Sequence, residues 1–225
     1  SQNTIIGSAA GANTSTASNN TAIGYISLAA NTVGEQNVAV GSSALNDNTT
    51  GAYNTAVGHD ALGANTTAIV GTAIGWGALA ANTVGAENTS VGSNSLQSNT
   101  TGDYHVALGR AALQANTTAD NNTGIGHNAL KANTTGDLNV AVGTKALDAN
   151  TTGRLNTAIG ASALGANTTA DNNTAIGQGT LEVNTTGAYN TALGRAALNA
   201  NTTASHNTGL GYFALLTNTT GTQNV

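Results

Sequence analysis

NTGIGHNALKANTTGDL, at residues 122–138, is one period of a tandem repeat with a unit of 17 residues. We number the columns of the repeat so that column 1 contains residue 1 and every seventeenth residue after it. Column 7 is glycine in all thirteen units, which together cover 221 of the 225 residues. A short, strictly kept period predicts a solenoid, in which each repeat stacks on its neighbours.

The composition argues against an ordinary globular core. The 225 residues include one Trp and one Phe, no Met, Cys or Pro, and only 7% charged residues. Gly, Ala, Asn and Thr dominate, but a strict period with a fixed aliphatic position is typical of stacked short strands and not of disorder. We therefore predict an all-β protein, a β-solenoid or β-roll of 13 coils of 17 residues.

The constant columns predict which residues support the fold. Column 3 is Asn in twelve of its fourteen occurrences, column 6 is always Ile, Val or Leu, and column 11 is Leu in every unit except the first. We predict two short strands per coil, over columns 3–6 and 9–13, and stacked asparagines that form amide ladders. In the quoted stretch the predicted structural ladder consists of Asn122, Thr123, Ile125, Gly126, Leu130, Asn133, Thr134 and Thr135.

We predict a single repeat domain over residues 1–225. A longer period of 51 residues divides it into a first coil and four three-coil blocks, at 3–19, 20–70, 71–121, 122–172 and 173–223. Duplication of a three-coil gene segment explains this period, and the alternative is that every third coil faces the same partner. We also expect flanking sequence of a longer protein to cover the open ends, or copies to stack end to end.

The apolar columns predict self-association. Adjacent residues of a strand point to opposite faces, so Ile125 and its neighbour Gly124, which is Ala in most units, belong to different faces, as do Leu130 and Ala129. An aliphatic row therefore lines one face and an alanine row the other, and the pattern leaves open which of them points outward. A continuous outward apolar row exceeds what a soluble monomer exposes, so we expect a homotrimer or a filament.

Several chemistries find little support. Five Lys and Arg residues and a net charge of -5 argue against a nucleic-acid surface, and no apolar run approaches the roughly 20 residues that span a bilayer. We expect no enzyme activity, cofactor or metal, because the only His-acid neighbours, His59 and Asp60, lie in variable columns. A cation could bridge Asp103, Asp120 and Asp137, but exposed, screened charge is the simpler interpretation.

Two further patterns concern glycans. Asn-Thr-Thr recurs in column 14 and is formally an N-glycosylation sequon, although the repeat already explains it as a ladder position. Exposed aromatic residues in variable columns are possible surface contacts for glycans: Tyr25, Trp76, Tyr53, Tyr104 and Tyr189.

The unit NTAIGASALGANTTA, at residues 156–170, resembles repeats of bacterial and phage tail-fibre-like proteins. It is also similar to the Asn-x-Ala-Ile-Gly head repeats of trimeric autotransporter adhesins. The resemblance covers essentially the whole chain and departs from the adhesin heads in its longer period of 17 residues. It implies a homotrimeric β-roll or β-solenoid, extracellular, on a cell surface or on a virion, that extends and presents a binding surface.

From these patterns we expect a structural or adhesive extracellular fibre segment, built by stacking and self-association of β-coils. Its expected partner is itself, with surface glycans or a host surface as further partners. The alternative is a ligand-binding solenoid whose regular Thr and Asn face binds ice or glycans.

Overall fold

A computed structural model describes residues 2–225. They fold into a parallel β-solenoid of thirteen coils, each of which contributes one strand of three residues. The strands are β1 (Thr4–Ile6), β2 (Thr21–Ile23), β3 (Val38–Val40), β4 (Thr55–Val57), β5 (Thr72–Ile74), β6 (Thr89–Val91), β7 (Val106–Leu108), β8 (Thr123–Ile125), β9 (Val140–Val142), β10 (Thr157–Ile159), β11 (Thr174–Ile176), β12 (Thr191–Leu193) and β13 (Thr208–Leu210). The predicted all-β solenoid is confirmed. Within residues 2–225, no helix has the length and apolar character that crossing a bilayer requires.

The chain forms two compact units. The first comprises the residues up to Ala111 together with Ala115–Thr118, and the second comprises Ala112–Gln114 and Ala119–Val225. Consecutive strands pair in parallel from β1 to β7 in the first unit and from β8 to β13 in the second. The register follows the repeat, so within each unit every column becomes a row of stacked residues.

The interior of each coil is narrow. The leucines of column 11 are at most 1% exposed from Leu28 to Leu198, and alanines of columns 5 and 10, such as Ala141 and Ala146, are fully buried. One buried leucine contributes about 1.5–3 kcal/mol, whereas ordering the backbone costs about 1–2 kcal/mol per residue. A coil therefore cannot fold alone, and its stability depends on the hydrogen bonds and contacts it makes with the coils beside it.

The second predicted strand, over columns 9–13, is wrong. This part of each coil is a series of turns, and only columns 4–6 form a strand. Ala129 and Leu130 do not point to opposite faces as the strand prediction required, because both are fully buried. In the true strand the alternation does hold: Ala141 is buried, and its neighbour Val142 is partly exposed.

Left-handed residues explain the difference. Asn128 has a φ of 60° and Leu130 a φ of 51°, and the same two columns are left-handed in the other coils. This conformation lets the N–H groups of columns 9 and 11 point in opposite directions, one toward the preceding coil and the other toward the following coil. Leu130 donates its backbone N–H to Ala146 in the following coil at 3.0 Å, and Lys145, in the column of Asn128, donates to His127 in the preceding coil at 3.0 Å. Hydrogen bonds to both neighbouring coils thus offset a conformation that L-residues disfavour.

Glycine is required in column 7, between the strand and the turns. The φ values in this column lie between 124° and 138°, a region that residues with a side chain rarely adopt. A Cβ atom on Gly143 would also lie 2.6 Å from the carbonyl oxygen of Gly160 in the next coil. Stacking at the observed distance therefore excludes any larger residue here.

Candidate functional site

The buried asparagines of column 14 form a ladder between coils. Asn150 donates its side-chain amide to the Oδ1 atom of Asn133 at 2.8 Å and to the carbonyl oxygen of Gly153 at 2.9 Å. Both asparagines are fully buried. Each amide is thus satisfied partly by its own coil and partly by the coil before it, which ties consecutive coils together.

The asparagines of column 3 form a second ladder of a different kind. The Oδ1 atom of Asn122 accepts the backbone N–H of Asn139 at 2.9 Å, and its Nδ2 atom donates to the carbonyl oxygen of Gly136 at 2.8 Å. Asn133 donates to the same carbonyl at 2.9 Å. Two asparagines of the same coil therefore donate to one buried backbone acceptor.

The remaining predicted ladder residues divide between the inside and the outside of the coil. The Thr134 hydroxyl donates to the carbonyl oxygen of Thr151 at 3.0 Å, and the neighbouring Thr135 is exposed. Thr123 and Ile125 point outward from strand β8, where both are partly exposed. Gly126 has a φ of 132° at the end of that strand.

The Asn-Thr-Thr sequons coincide with the column 14 ladder. Asn218, in the last coil, is partly exposed. The other asparagines are fully buried, at Asn48, Asn65, Asn99, Asn116, Asn133, Asn150, Asn167, Asn184 and Asn201. The glycan of an N-glycoprotein is attached to the side-chain amide nitrogen, and here that nitrogen is enclosed and hydrogen-bonded. The folded chain therefore offers no access to a glycosyl donor at these positions.

Columns 2, 4, 6 and 8 are exposed or partly exposed in most coils, and we call the residues of these four columns the strand face. Columns 4 and 6 are the outward positions of the strands, and columns 2 and 8 lie at its two edges. Most of the large apolar side chains that are exposed lie on it, namely Ile6, Tyr25, Tyr53, Val70, Ile74, Trp76, Tyr104, Leu138, Leu155, Ile159, Tyr189, Leu193, Leu210 and Tyr212. The sequence analysis missed that these columns form one surface, although their spacing of two residues was a usable signal.

The five aromatic residues predicted as surface contacts all lie at the edges of this face and are 54–59% exposed. Tyr25 and Trp76 belong to column 8, and the other three, Tyr53, Tyr104 and Tyr189, belong to column 2. Trp76 stacks on His59, with the ring centroids 6.4 Å apart, and Tyr189 stacks on His206 at 5.1 Å. Stacking on a ring of the neighbouring coil restricts the orientation of Trp76 and Tyr189.

The acidic side chains of column 1 are engaged by the backbone. Asp137 accepts the N–H of Asp120 at 3.0 Å and forms an ion pair with Arg154 at 2.6 Å. Asp103 accepts the N–H of Ala86 at 2.7 Å. Among residues 2–225, no three His, Cys, Asp or Glu side chains form a cluster that could hold a metal ion.

Other titratable groups are dispersed over the turns. His59 and Asp60 are adjacent in the chain, but the His59 ring lies against Trp76. Burial raises the pKa of Asp148, and the charges of Lys145 and Lys131 oppose this shift. Asp60 lines one open depression on the turn side of the coils, and Lys145 and Asp148 line another.

Two departures from the repeat place polar groups inside the first unit. Ser90 and Ser95 replace the usual alanines, and their buried hydroxyls hydrogen-bond to each other. His105 replaces an asparagine of column 3, and its Nε2 atom lies 3.1 Å from the amide nitrogen of Asn116. Because an amide nitrogen only donates, this contact requires an unprotonated Nε2 on His105.

The coils and their ladders define the chain as a parallel β-solenoid repeat protein. No family model, no curated protein and no solved structure matches it.

Proposed function

We propose that the chain is a structural fibre segment, which extends by stacking coils and associates with copies of itself. The observation that supports this best is the pair of asparagine ladders. They connect each coil to the next through buried side chains such as Asn133 and Asn150. The buried residues that recur from coil to coil thus serve stacking, and the columns that vary between coils are exposed or partly exposed in most coils.

The extracellular, cell-surface or virion location and an adhesive role belong to the same proposal. They rest on the resemblance of the repeat to tail-fibre-like proteins and adhesin heads. In such a setting the exposed rings at the edges of the strand face, Trp76 and Tyr53 among them, are the side chains best placed to contact surface glycans.

Removal of one complete block tests the structural role. Deletion of residues 122–172 removes three coils and restores the register, so the shortened chain should fold and lose about 14 Å of stacked length, at about 4.8 Å per coil. The matched control deletes residues 122–168 and joins columns that do not follow each other. Circular dichroism and electron microscopy should show a folded, shorter particle for the first deletion and loss of structure within the second unit for the second deletion. If the complete-block deletion unfolds the chain, modular stacking is wrong.

A second candidate function is binding to ice. The observation that favours it is the row of column 4, which is Thr in ten coils and Val at Val38, Val106 and Val140, beside the aliphatic row of column 6. β-Branched side chains are stiff, so their methyl and hydroxyl groups repeat at a fixed spacing. The asparagines that were expected to share this face do not, because columns 3 and 14 are buried. Thermal hysteresis at high protein concentration would support ice binding, and its absence would exclude it.

A further inference from the structure

We propose that the strand face is the surface through which copies of this chain associate, and that its occupant is the same face of a second copy. This inference rests on the proposed fibre function and names the surface and the partner that the function requires. It is drawn from the chemistry, the size and the charge of the face.

The centre of the strand face is uniformly uncharged. Columns 4 and 6 contain only Thr, Val, Ile and Leu in all thirteen coils. The aliphatic side chains of column 6 remain in contact with solvent, as at Ile74, which is 40% exposed, and Leu193, which is 48% exposed. Burial of such a row is favourable in proportion to the apolar area removed from water.

The size of the face fits an interface between subunits. The chain from column 2 to column 8 spans at most about 20 Å, so six or seven strands about 4.8 Å apart give each unit a face of up to about 600 Å². A soluble monomer rarely exposes an apolar patch larger than about 300–600 Å². The face of one unit therefore reaches the upper end of what a soluble monomer exposes and approaches the roughly 800 Å² per partner of a stable interface.

The distribution of charge favours a second copy over a charged partner. Charged residues occur on the face only at its edges, at Glu87, Arg110 and Arg195. Two identical faces therefore meet without repulsion at the centre, and in the first unit charges of both signs, Glu87 and Arg110, lie at the rims. A symmetric contact requires a patch that complements itself, and two apolar sheet faces do so when they stack about 10 Å apart.

Lysine substitutions in column 6 test this interface. Ile125→Lys and Ile159→Lys together place two charges at the centre of the face in the second unit. The matched control, Thr135→Lys with Thr169→Lys, places the same charges in the same coils but on exposed positions of column 16. Both pairs leave the buried residues of the coils unchanged.

Sedimentation velocity over a range of protein concentrations is the measurement. We expect the wild-type chain and the control to sediment with the mass of at least two 21.9 kDa chains. The column 6 variant should associate at least about 100-fold more weakly, because burying an unpaired charge costs several kcal/mol. Its circular dichroism should match that of the control.

Other outcomes overturn the inference in distinguishable ways. The wild-type chain could be monomeric while the variant that lacks residues 122–172 still folds into a shorter particle. This result contradicts the interface and leaves the stacking function intact. A column 6 variant that stays assembled assigns self-association to another surface. Monomers that show thermal hysteresis, or that bind phosphatidylcholine vesicles, assign the strand face to ice or to a membrane.

Discussion

Ile125 and Leu130 are five residues apart in one coil, and both come from columns that are almost invariably aliphatic. Ile125 ends strand β8 and faces outward, whereas Leu130 lies among the turns and is fully buried. The strand, which is the regular part of the coil, thus supplies much of the surface, and the irregular part supplies the core. Apolar character alone does not tell which side chains stabilise a coil and which are available to a partner.

The largest effect should come from breaking the junction between strand and turns. Gly143→Ala places a methyl group 2.6 Å from the carbonyl carbon of Gly160 at a φ of 136°. We expect a loss of at least about 3 kcal/mol in the free energy of unfolding, measured in urea. The control is Gly165→Ala, whose new Cβ atom has its nearest neighbour at 3.3 Å and no unusual φ. Equal losses for the two variants would contradict the strict requirement for glycine in column 7.

The two aliphatic positions can be compared directly. Leu130→Ala leaves a cavity in the coil and should lower the free energy of unfolding by about 2–5 kcal/mol. Ile125→Ala removes a partly solvated side chain and should cost less than about 1 kcal/mol in the monomer. Urea denaturation of dilute protein checks both variants. A larger loss for Ile125→Ala would mean that the strand, and not the turns, holds the core.

The buried asparagines of column 14 should contribute nearly as much to the free energy of unfolding as the buried leucine. Asn150→Leu removes the donor to the Oδ1 atom of Asn133 and the acceptor of the Asn167 amide, whereas the carbonyl of Gly153 keeps its hydrogen bond from Asn139. We expect a loss of about 2–3 kcal/mol, since buried unsatisfied groups are costly. Thr152→Val, in a column where Val33 and Val84 occur naturally, is the control and should be nearly neutral. If both variants are neutral in urea denaturation, the ladder does not stabilise the stack.

The smallest expected effect is a gain in the free energy of unfolding. Val70 is left-handed, with a φ of 59°, although β-branched residues disfavour this conformation. Val70→Asn should therefore stabilise the chain by about 1 kcal/mol. Asparagine occupies the same column at Asn19, Asn121 and Asn172. Val57→Asn, within strand β4, lacks this strain and should give no gain in a thermal melt. A gain at both sites would point to a general effect of polarity on the strand face.

Much of the fold follows from the sequence. The strict period predicts the stacking, the glycine column predicts a positive φ or a close approach of the backbone, and the repeated asparagines predict amide ladders such as that of Asn133 and Asn150. The strand over columns 4–6 follows from the alternation of small and aliphatic residues. These features are predictable because each depends on a single property of one column.

The turns and the exposed face depend on backbone conformations that cannot be predicted from this sequence. A left-handed leucine such as Leu130 is rare, and its side chain gives no sign that the peptide groups around it bond to both neighbouring coils. If the left-handed conformation is not considered, the sequence around Ala129 and Leu130 predicts a strand in which these two side chains point to opposite faces. The outward direction of Ile125 could not be predicted for the same reason. It depends on the interior being filled by side chains of the turns, such as Leu130.

The reactivity of single thiols tests the central claim, that column 5 points inward and the aliphatic residue of column 6 points outward in the strands. The chain contains no cysteine, so Ala158→Cys and Ile159→Cys each introduce one thiol, at neighbours that are 0% and 39% exposed. The rate of maleimide labelling should be measured at protein concentrations low enough to dissociate any assembly, with urea-unfolded chain as reference. We expect the Ile159→Cys thiol to react at nearly the unfolded rate and the Ala158→Cys thiol at least about 100-fold more slowly, because the second requires opening of the coil. Equal rates, or faster labelling at position 158, would contradict the account.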